Sequence, residues 1–321
     1  MTRSDVDVDA LLDPETAAVL ATIPGLGTLD DELLPRIRRQ RQKLAQADQA
    51  RLSDRVERVD HVVPGRHGQP DVTVRVHRPV GAGGARPCVY WMHGGGFVLG
   101  TYLNDDLRFD DWCVRFDCVG VSVEYRLAPE TPYPGPLEDA YTGLAWVHAN
   151  ATALGVDPDR IGLAGASAGA GLAAGVALAA RDRGEVPVAF QFLIYPMLDD
   201  RMINPSTQWP VPVWNPGSNR YGWKSYLGEL FDTEDVPSYA APARATDLAG
   251  LPSTYILVGT LDAFLDEDIV YAQRLNHAGV PAELHVYPGA PHGFELFAPD
   301  TALARRATAD AEGWLAHTLT R

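Results

Sequence analysis

Lysine is almost missing from this chain: Lys43 and Lys224 are the only two among 27 basic residues, and the rest are arginines. That skew reads as coding bias rather than chemistry. Cysteine is also scarce, with Cys88, Cys113 and Cys118 alone. An odd number leaves one thiol outside any disulfide scheme, and a chain of 321 residues needs no staple, so three buried thiols are expected. No run of 18 or more apolar residues marks a membrane-spanning helix. The start, Met1 to Asp9, lacks the apolar core of a secretory leader, which points to a soluble cytoplasmic protein. Positive charge is in deficit, the net charge being −15, and this argues against nucleic acid or an anionic membrane as partner. No Walker A lysine pattern and no Cys/His cluster with metal-ligand spacing occurs, so neither a nucleotide nor a metal is called for.

What remains is ordinary globular composition, 46% hydrophobic and 21% charged, enough for a large core. Asp13-Pro14-Glu15 has the form of an N-cap followed by proline in the first helical turn. A second helix, rich in arginine, is expected over Leu34 to Ala50. Both have little core of their own and must lean on another part of the molecule. Val56 to Val62 and Val72 to His77 alternate with period two, as half-buried antiparallel strands do. Cys88 to Met92 is continuously apolar, which suits a strand covered on both faces. Strands at Val119–Glu124, Ile161–Ala164, Ala189–Tyr195, Thr254–Val258 and Ala282–Tyr287 then alternate with helices. Those helices are expected at Pro136–Ala153, from Ser167 to about Ala180, at Asp266–Ala278 and at Thr301–Leu319. Such alternation implies an α/β fold with a mainly parallel central sheet wrapped by helices on both faces. Asp199 to Ser238 interrupts the rhythm. It is too long for an ordinary connection and too aromatic for a disordered linker.

Gly165-Ala166-Ser167-Ala168-Gly169 stands between an apolar strand-like run and an Ala/Gly-rich helical one. Strand, sharp turn and helix in that order present a serine hydroxyl as a nucleophile at a helix N-terminus. A serine needs a base and a group to orient that base. His292, in Pro291-His292-Gly293-Phe294, follows a strand in a short loop at the sheet's carboxyl end, where α/β enzymes carry their chemistry. His61 and His77 on early strands, and His148, His277 and His317 on helices, are expected at the surface. Asp262 follows the strand Tyr255–Gly259 and stands 30 residues before His292. Asp266 is the rival acid, although it could simply cap the next helix. The order Ser, Asp, His is that of an α/β-hydrolase. His93-Gly94-Gly95-Gly96 ends another strand, and three bare glycines offer backbone amides for an oxyanion. The glycine spacing of a dinucleotide site is absent.

Together these motifs resemble the bacterial hormone-sensitive lipase-like carboxylesterases. The resemblance rests on HGGG at His93–Gly96, GASAG around Ser167, Asp262, His292-Gly293-Phe294 and Tyr125-Arg126-Leu127-Ala128-Pro129-Glu130, with Pro134 and Glu138-Asp139-Ala140 beyond it. It runs from about residue 50 to the C-terminus and more loosely through the N-terminal helices. It implies oxyanion donors from the amides of Gly95, Gly96 and Ala168, with His93 shaping the loop. It also implies a lid made of residues 1–50 and 199–238, over a catalytic core of residues 51–198 and 239–321. Trp209, Trp214, Tyr221 and Trp223 would be pocket-lining candidates in that lid. A small-molecule ester of short or medium acyl length, no cofactor, and a possible homodimer through the last strand and helix complete the expectation. An amidase or formamidase with the same residues is the alternative, and a non-catalytic binding protein of this fold a more distant one. Two departures stand out. Ala166 precedes the serine where many relatives carry Asp or Thr, and Ala263 follows Asp262 where proline is common.

Overall fold

The computed structural model describes residues 7–23, 25, 27–81 and 83–321, so Met1 to Val6, part of the leader expectation, lies outside the described residues. Its strands are β1 (Val56–Val63), β2 (Val72–Pro79), β3 (Arg86–Met92), β4 (Val119–Glu124), β5 (Val156–Ala166), β6 (Phe190–Ile194), β7 (Ser253–Leu261) and β8 (Ala282–Pro291). Its helices are α1 (Val8–Leu11), α2 (Pro14–Leu20), α3 (Leu34–Asp48), α4 (Asp106–Arg115), α5 (Gly135–Ala149), α6 (Ala151–Leu154), α7 (Ala168–Arg183), α8 (Pro216–Leu227), α9 (Leu265–His277), α10 (Phe294–Phe297) and α11 (Ala302–Leu319). The strands form one sheet in the order β1-β2-β4-β3-β5-β6-β7-β8. The alternating strands β1 and β2 pair antiparallel, β2 joins β4 antiparallel, and every later pairing is parallel.

Burial explains the division. All seven residues of β3 and all five of β6 are buried, because helices cover both faces of the sheet centre. One face packs Tyr90, Met92, Leu163 and Leu193 against α5 and α7; the other packs Trp91, Phe192 and Tyr255 against α4 and α11. On α11, Leu303, Ala307 and Ala311 are buried as the helical period requires, and Trp314 stacks on Phe192 at 6.1 Å. Thr301 caps that helix by accepting from the Ala304 amide, and Asp13 caps α2 by accepting from Thr16.

Three details differ from the pattern in the sequence. The helix expected over Pro136–Ala153 breaks at Asn150, whose side-chain amide donates to the Trp146 carbonyl and ends α5. Strand β8 continues past Tyr287 to Pro291, with a register shift opposite Gly259–Leu261, so His292 leaves directly from a strand end. His77 is not a surface residue: it is fully buried on β2, with Nε2 2.8 Å from Asp106 Oδ1.

The N-terminal segment does lean elsewhere. Arg38 on α3 donates to the carbonyls of Val98 and Ala128 and pairs with Glu130 at 2.7 Å. Ahead of it, the Leu29 amide donates to Ser218 on α8 and Asn215 donates to the Gly27 carbonyl. Tyr221 of α8 donates to Asp31 at 2.7 Å. No helix among the described residues is long and apolar enough to cross a membrane. Cys88, Cys113 and Cys118 are buried and unpaired.

Candidate active site

Ser167 sits at φ 58°, ψ −124°, between the end of β5 and the start of α7. A non-glycine residue at positive φ is uncommon and costs free energy, and here it aims the side chain away from both elements. The turn holds because nothing bulky crowds it. A Cβ on Gly169 would lie 2.1 Å from the Met92 carbonyl oxygen, so only glycine admits this approach of α7 to β3. The Ser167 amide donates to the Ile194 carbonyl, and its own carbonyl accepts from Gly171 and Met197.

His292 and Asp262 arrive from neighbouring strand ends. The hydroxyl of Ser167 lies 2.9 Å from His292 Nε2, and His292 Nδ1 lies 2.8 Å from Asp262 Oδ2. Nδ1–H donating to the carboxylate leaves Nε2 as acceptor for the serine proton. Asp262 is fully buried, and its second oxygen accepts from the Phe264 amide. Asp266 is not part of this chain of contacts: it accepts from the Ser206 amide, pinning the segment after β6.

The glycine loop touches the serine turn. A Cβ on Gly94 would be 3.5 Å from the Ser167 Cβ, and Gly95 and Gly96 adopt φ of 132° and 61°. Among the described residues the amides of Gly95, Gly96 and Ala168 donate to no protein acceptor, which leaves them free to receive an anion. His93 faces away from this chemistry. Its ring stacks on Tyr125 at 4.2 Å, and the Tyr125 hydroxyl donates to the His93 carbonyl at 2.6 Å. Burial, only slightly offset by its bond to Gly94, pushes the His93 pKa down to about 4, so the imidazole is neutral. The Tyr125–Glu130 motif thus has a mechanical job. Tyr125 braces the loop, Arg126 forks onto buried Asp139 at 2.7 Å, and Glu130 receives Arg38 from α3.

The four aromatics singled out in residues 199–238 separate. Trp214 lies directly on the glycine loop: a Cβ on Gly96 would meet its ring at 2.2 Å. Next to it, Val213 is held at φ 71°, an unfavourable setting for a β-branched residue. Trp223 is wholly buried and packs on Phe97 at 5.5 Å. Tyr221 turns to Asp31, and Trp209 is half-buried against the core beneath. Two neighbours of His292 have no motif to reveal them. Tyr195 packs edge-on at 4.5 Å and donates to Glu295 at 2.5 Å. Position was the only signal: Tyr195 follows a strand, and Glu295 comes three residues after the histidine.

The alpha/beta hydrolase fold family matches residues 89–296. Esterase LipI of Mycobacterium tuberculosis is 34% identical over 306 residues, covering 94% of this chain and 93% of its own length. Carboxylesterase NlhH of the same species is 35% identical over 269 residues, covering 78% of this chain and 80% of its own. Among solved structures, a bacterial heroin esterase superposes with a TM-score of 0.91 at 44% identity, covering 97% of this chain and 98% of that one. The chain belongs to the α/β-hydrolase fold family, within its hormone-sensitive lipase-like carboxylesterase branch.

Proposed function

We propose that the chain hydrolyses carboxylic esters through an acyl-enzyme on Ser167. The observation that carries this reading is the unbroken contact from Ser167 through His292 to Asp262, next to three unpaired amides. His292 takes the Ser167 proton as the oxygen attacks the ester carbon. The carbonyl oxygen becomes an oxyanion that receives the amides of Gly95, Gly96 and Ala168. Collapse returns the electron pair to the carbonyl, and His292 gives its proton to the departing alcohol. Water, deprotonated by His292, then attacks the acyl carbon, and the carboxylic acid leaves as Ser167 recovers its proton. Asp262 holds the Nδ1–H tautomer and stabilises each imidazolium.

Residues 1–50 and 199–238 act together as the lid. The contacts of Leu29, Asp31 and Asn215 across these two stretches, and the seat of Trp214 on Gly96, support that reading. Ser167 and His292 are each under a tenth exposed, and acyl groups of short to medium length are the substrates that the family resemblance implies. The test is turnover of a p-nitrophenyl ester series of rising acyl length, with matched anilides and heroin, for which the 44% identical neighbour is named, on the same panel. Esters are expected to turn over with a burst. Ser167→Ala is expected to lose about 10⁴-fold or more in kcat while remaining folded. A tenth of the wild-type rate in that variant would move the nucleophile elsewhere, and faster anilide than ester turnover would favour an amidase.

A further inference from the structure

Behind His292, on the side that neither Ser167 nor Asp262 occupies, the structure spends free energy twice. Tyr195, the residue after β6, is held at φ 36°, a left-handed setting that a bulky aromatic rarely adopts. Its amide donates to the Leu257 carbonyl, its ring edge rests on the imidazole at 4.5 Å, and its hydroxyl donates to Glu295 Oε1 at 2.5 Å. Glu295 itself hides its second oxygen: Oε2 is buried without a hydrogen-bond partner among the described residues. An unpaired buried carboxylate oxygen costs more than one in water, and such a group calls for an explanation. It borders a cavity of about 20 Å³ shared with Arg108, Trp112, Ile194 and Glu312. Arg108 is fixed there over the faces of Trp91 (4.6 Å) and Trp112 (5.1 Å).

Given the esterase reading above, on which this inference rests, we propose that Glu295 is a positioning residue for His292, a second negative charge that steadies the imidazolium through the Tyr195 brace. The chemistry asks for such a group. In both halves of the reaction His292 passes through a cation, and Asp262 touches only its Nδ1. Phe264 closes one flank of the ring edge-on at 5.2 Å, and offers no charge. Tyr195 fills another flank and has Glu295 at its far end. The charged and titratable groups around the ring are then Asp262 just beyond β7, Tyr195 beyond β6, Glu295 from α10 and Arg108 from α4, with Glu312 of α11 across the cavity. Glu267 and Asp268 on α9 are buried, and burial raises both well above the usual carboxylate range; Glu267 accepts from the Leu198 and Asp199 amides rather than meeting the His292 ring. Burial is the largest influence on Glu295 and leaves its pKa above the ordinary carboxylate value, although the Tyr195 hydroxyl and the positive charges of Arg108 and His292 pull it down. Glu295 is the carboxyl group linked to the His292 ring through Tyr195, on a flank that Asp262 does not reach.

The experiment uses Glu295→Gln and Tyr195→Phe in the full chain. Glu295→Gln keeps the acceptor for Tyr195 and removes only the charge. The readouts are the rate of Ser167 inactivation by a phosphonate from pH 5 to 8, and kcat and KM for p-nitrophenyl acetate over the same range. In Glu295→Gln the midpoint of the acid limb is expected to fall by roughly half a unit to one unit, because the histidine loses a stabiliser of its charged form. kcat at the plateau should fall about three- to tenfold with KM unchanged. Tyr195→Phe should move the midpoint the same way by less, and the double variant should be no worse than Glu295→Gln alone. An acid limb in the wild-type position in both variants overturns the proposal, whatever happens to their melting temperatures. Should Glu295→Gln fail to fold, the midpoint of Tyr195→Phe decides by the same criterion. A wild-type chain inert to the phosphonate would instead sink the Ser167 reading, whereas normal wild-type labelling with unmoved variants sinks only the role of Glu295.

Discussion

At the scale of single residues, position relative to strand ends carried most of the information. Ser167, Asp262 and His292 stood out as candidates because each follows a strand with apolar residues, and the fold brings those strand ends together. The same logic failed for His77. Period-two alternation puts a residue on one face but does not tell whether a helix covers that face, and here α4 does: Phe109 stacks on the His77 ring at 4.7 Å. The sequence favours Asp262 over Asp266 by its place directly after a strand, and in the structure it is Asp262 that meets His292. Asp262→Asn is expected to cut kcat by close to 10⁴-fold, the penalty such a change carries in a serine triad, because it favours the wrong tautomer. Asp266→Asn loses one charged contact to the Ser206 amide, so steady-state kinetics should stay within a few-fold of wild type. The reverse ranking would shift the orienting acid by one helical turn. His93 makes a prediction about pH. Its folded pKa of about 4 lies below the unfolded value of roughly 6.5, so the unfolded chain binds the extra proton between them. Stability contributed by neutral His93 is complete above pH 6.5 and is lost as pH falls towards 4, by roughly 3 kcal/mol. Urea unfolding of the wild type should weaken across that window more steeply than that of His93→Gln. Parallel curves would mean that the ring is not held neutral.

At the scale of elements, the strands were the easiest to read and the connections the hardest. The strands of the sheet centre were marked by apolar runs and β1 and β2 by alternation, whereas the extension of β8 to Pro291 depends on its pairing with β7, which no local pattern encodes. The join between the N-terminal segment and α8 links residues about 190 apart, such as Leu29 with Ser218, so it too was invisible to periodicity. Yet the aromatic density of 199–238 did signal a packed segment. The structure now splits its tryptophans by job. Trp223, wholly buried on Phe97 and Tyr226, is a packing residue, and Trp223→Ala should cost about 3 to 5 kcal/mol and lower activity on all esters alike. Trp214 rests on Gly96 at the edge of the glycine loop, so Trp214→Ala should open room beside the Gly95 and Gly96 amides. Relative kcat/KM is then expected to shift towards longer acyl chains by about tenfold, with short-ester turnover largely kept. Identical acyl-length profiles for the two variants would mean that both only hold the segment together.

At the scale of the whole molecule, alternation of strands and helices was enough to foresee a mainly parallel sheet with two covered faces, since only that arrangement buries runs such as Cys88–Met92 on both sides. It did not reveal what fastens the antiparallel end of the sheet to the N-terminal segment. That fastening is ionic and centred on Asp106, fully buried at the start of α4. Its carboxylate meets His77 and Arg75 of β2 at 2.8 and 2.6 Å, and accepts from Gln49 just beyond α3 at 2.7 Å. Arg75 continues to Asp60 on β1. One side chain thus joins α3, α4 and β2 directly and reaches β1 through Arg75. Burial alone would raise the Asp106 pKa, but the bonds from His77 and Gln49 and the Arg75 charge outweigh it and hold the carboxyl below its ordinary value. Its ionised form is therefore favoured by folding, a contribution complete above the unfolded carboxylate pKa and lost as acid protonates it in the folded state. Asp106→Ala should leave buried His77 without its partner and Arg75 with only Asp60 and Gln49, and cost about 3 to 5 kcal/mol, as breaking a buried pair does. Asp106→Asn keeps one acceptor oxygen in place of two and should cost less. Because the network lies apart from Ser167, the folded fraction of either variant should keep near-normal kcat per active site titrated with phosphonate. A fall in kcat per titrated site as large as the loss of folded protein would show that the N-terminal fastening also sets the geometry of the glycine loop, by way of α3 and the Arg38 contact to Val98.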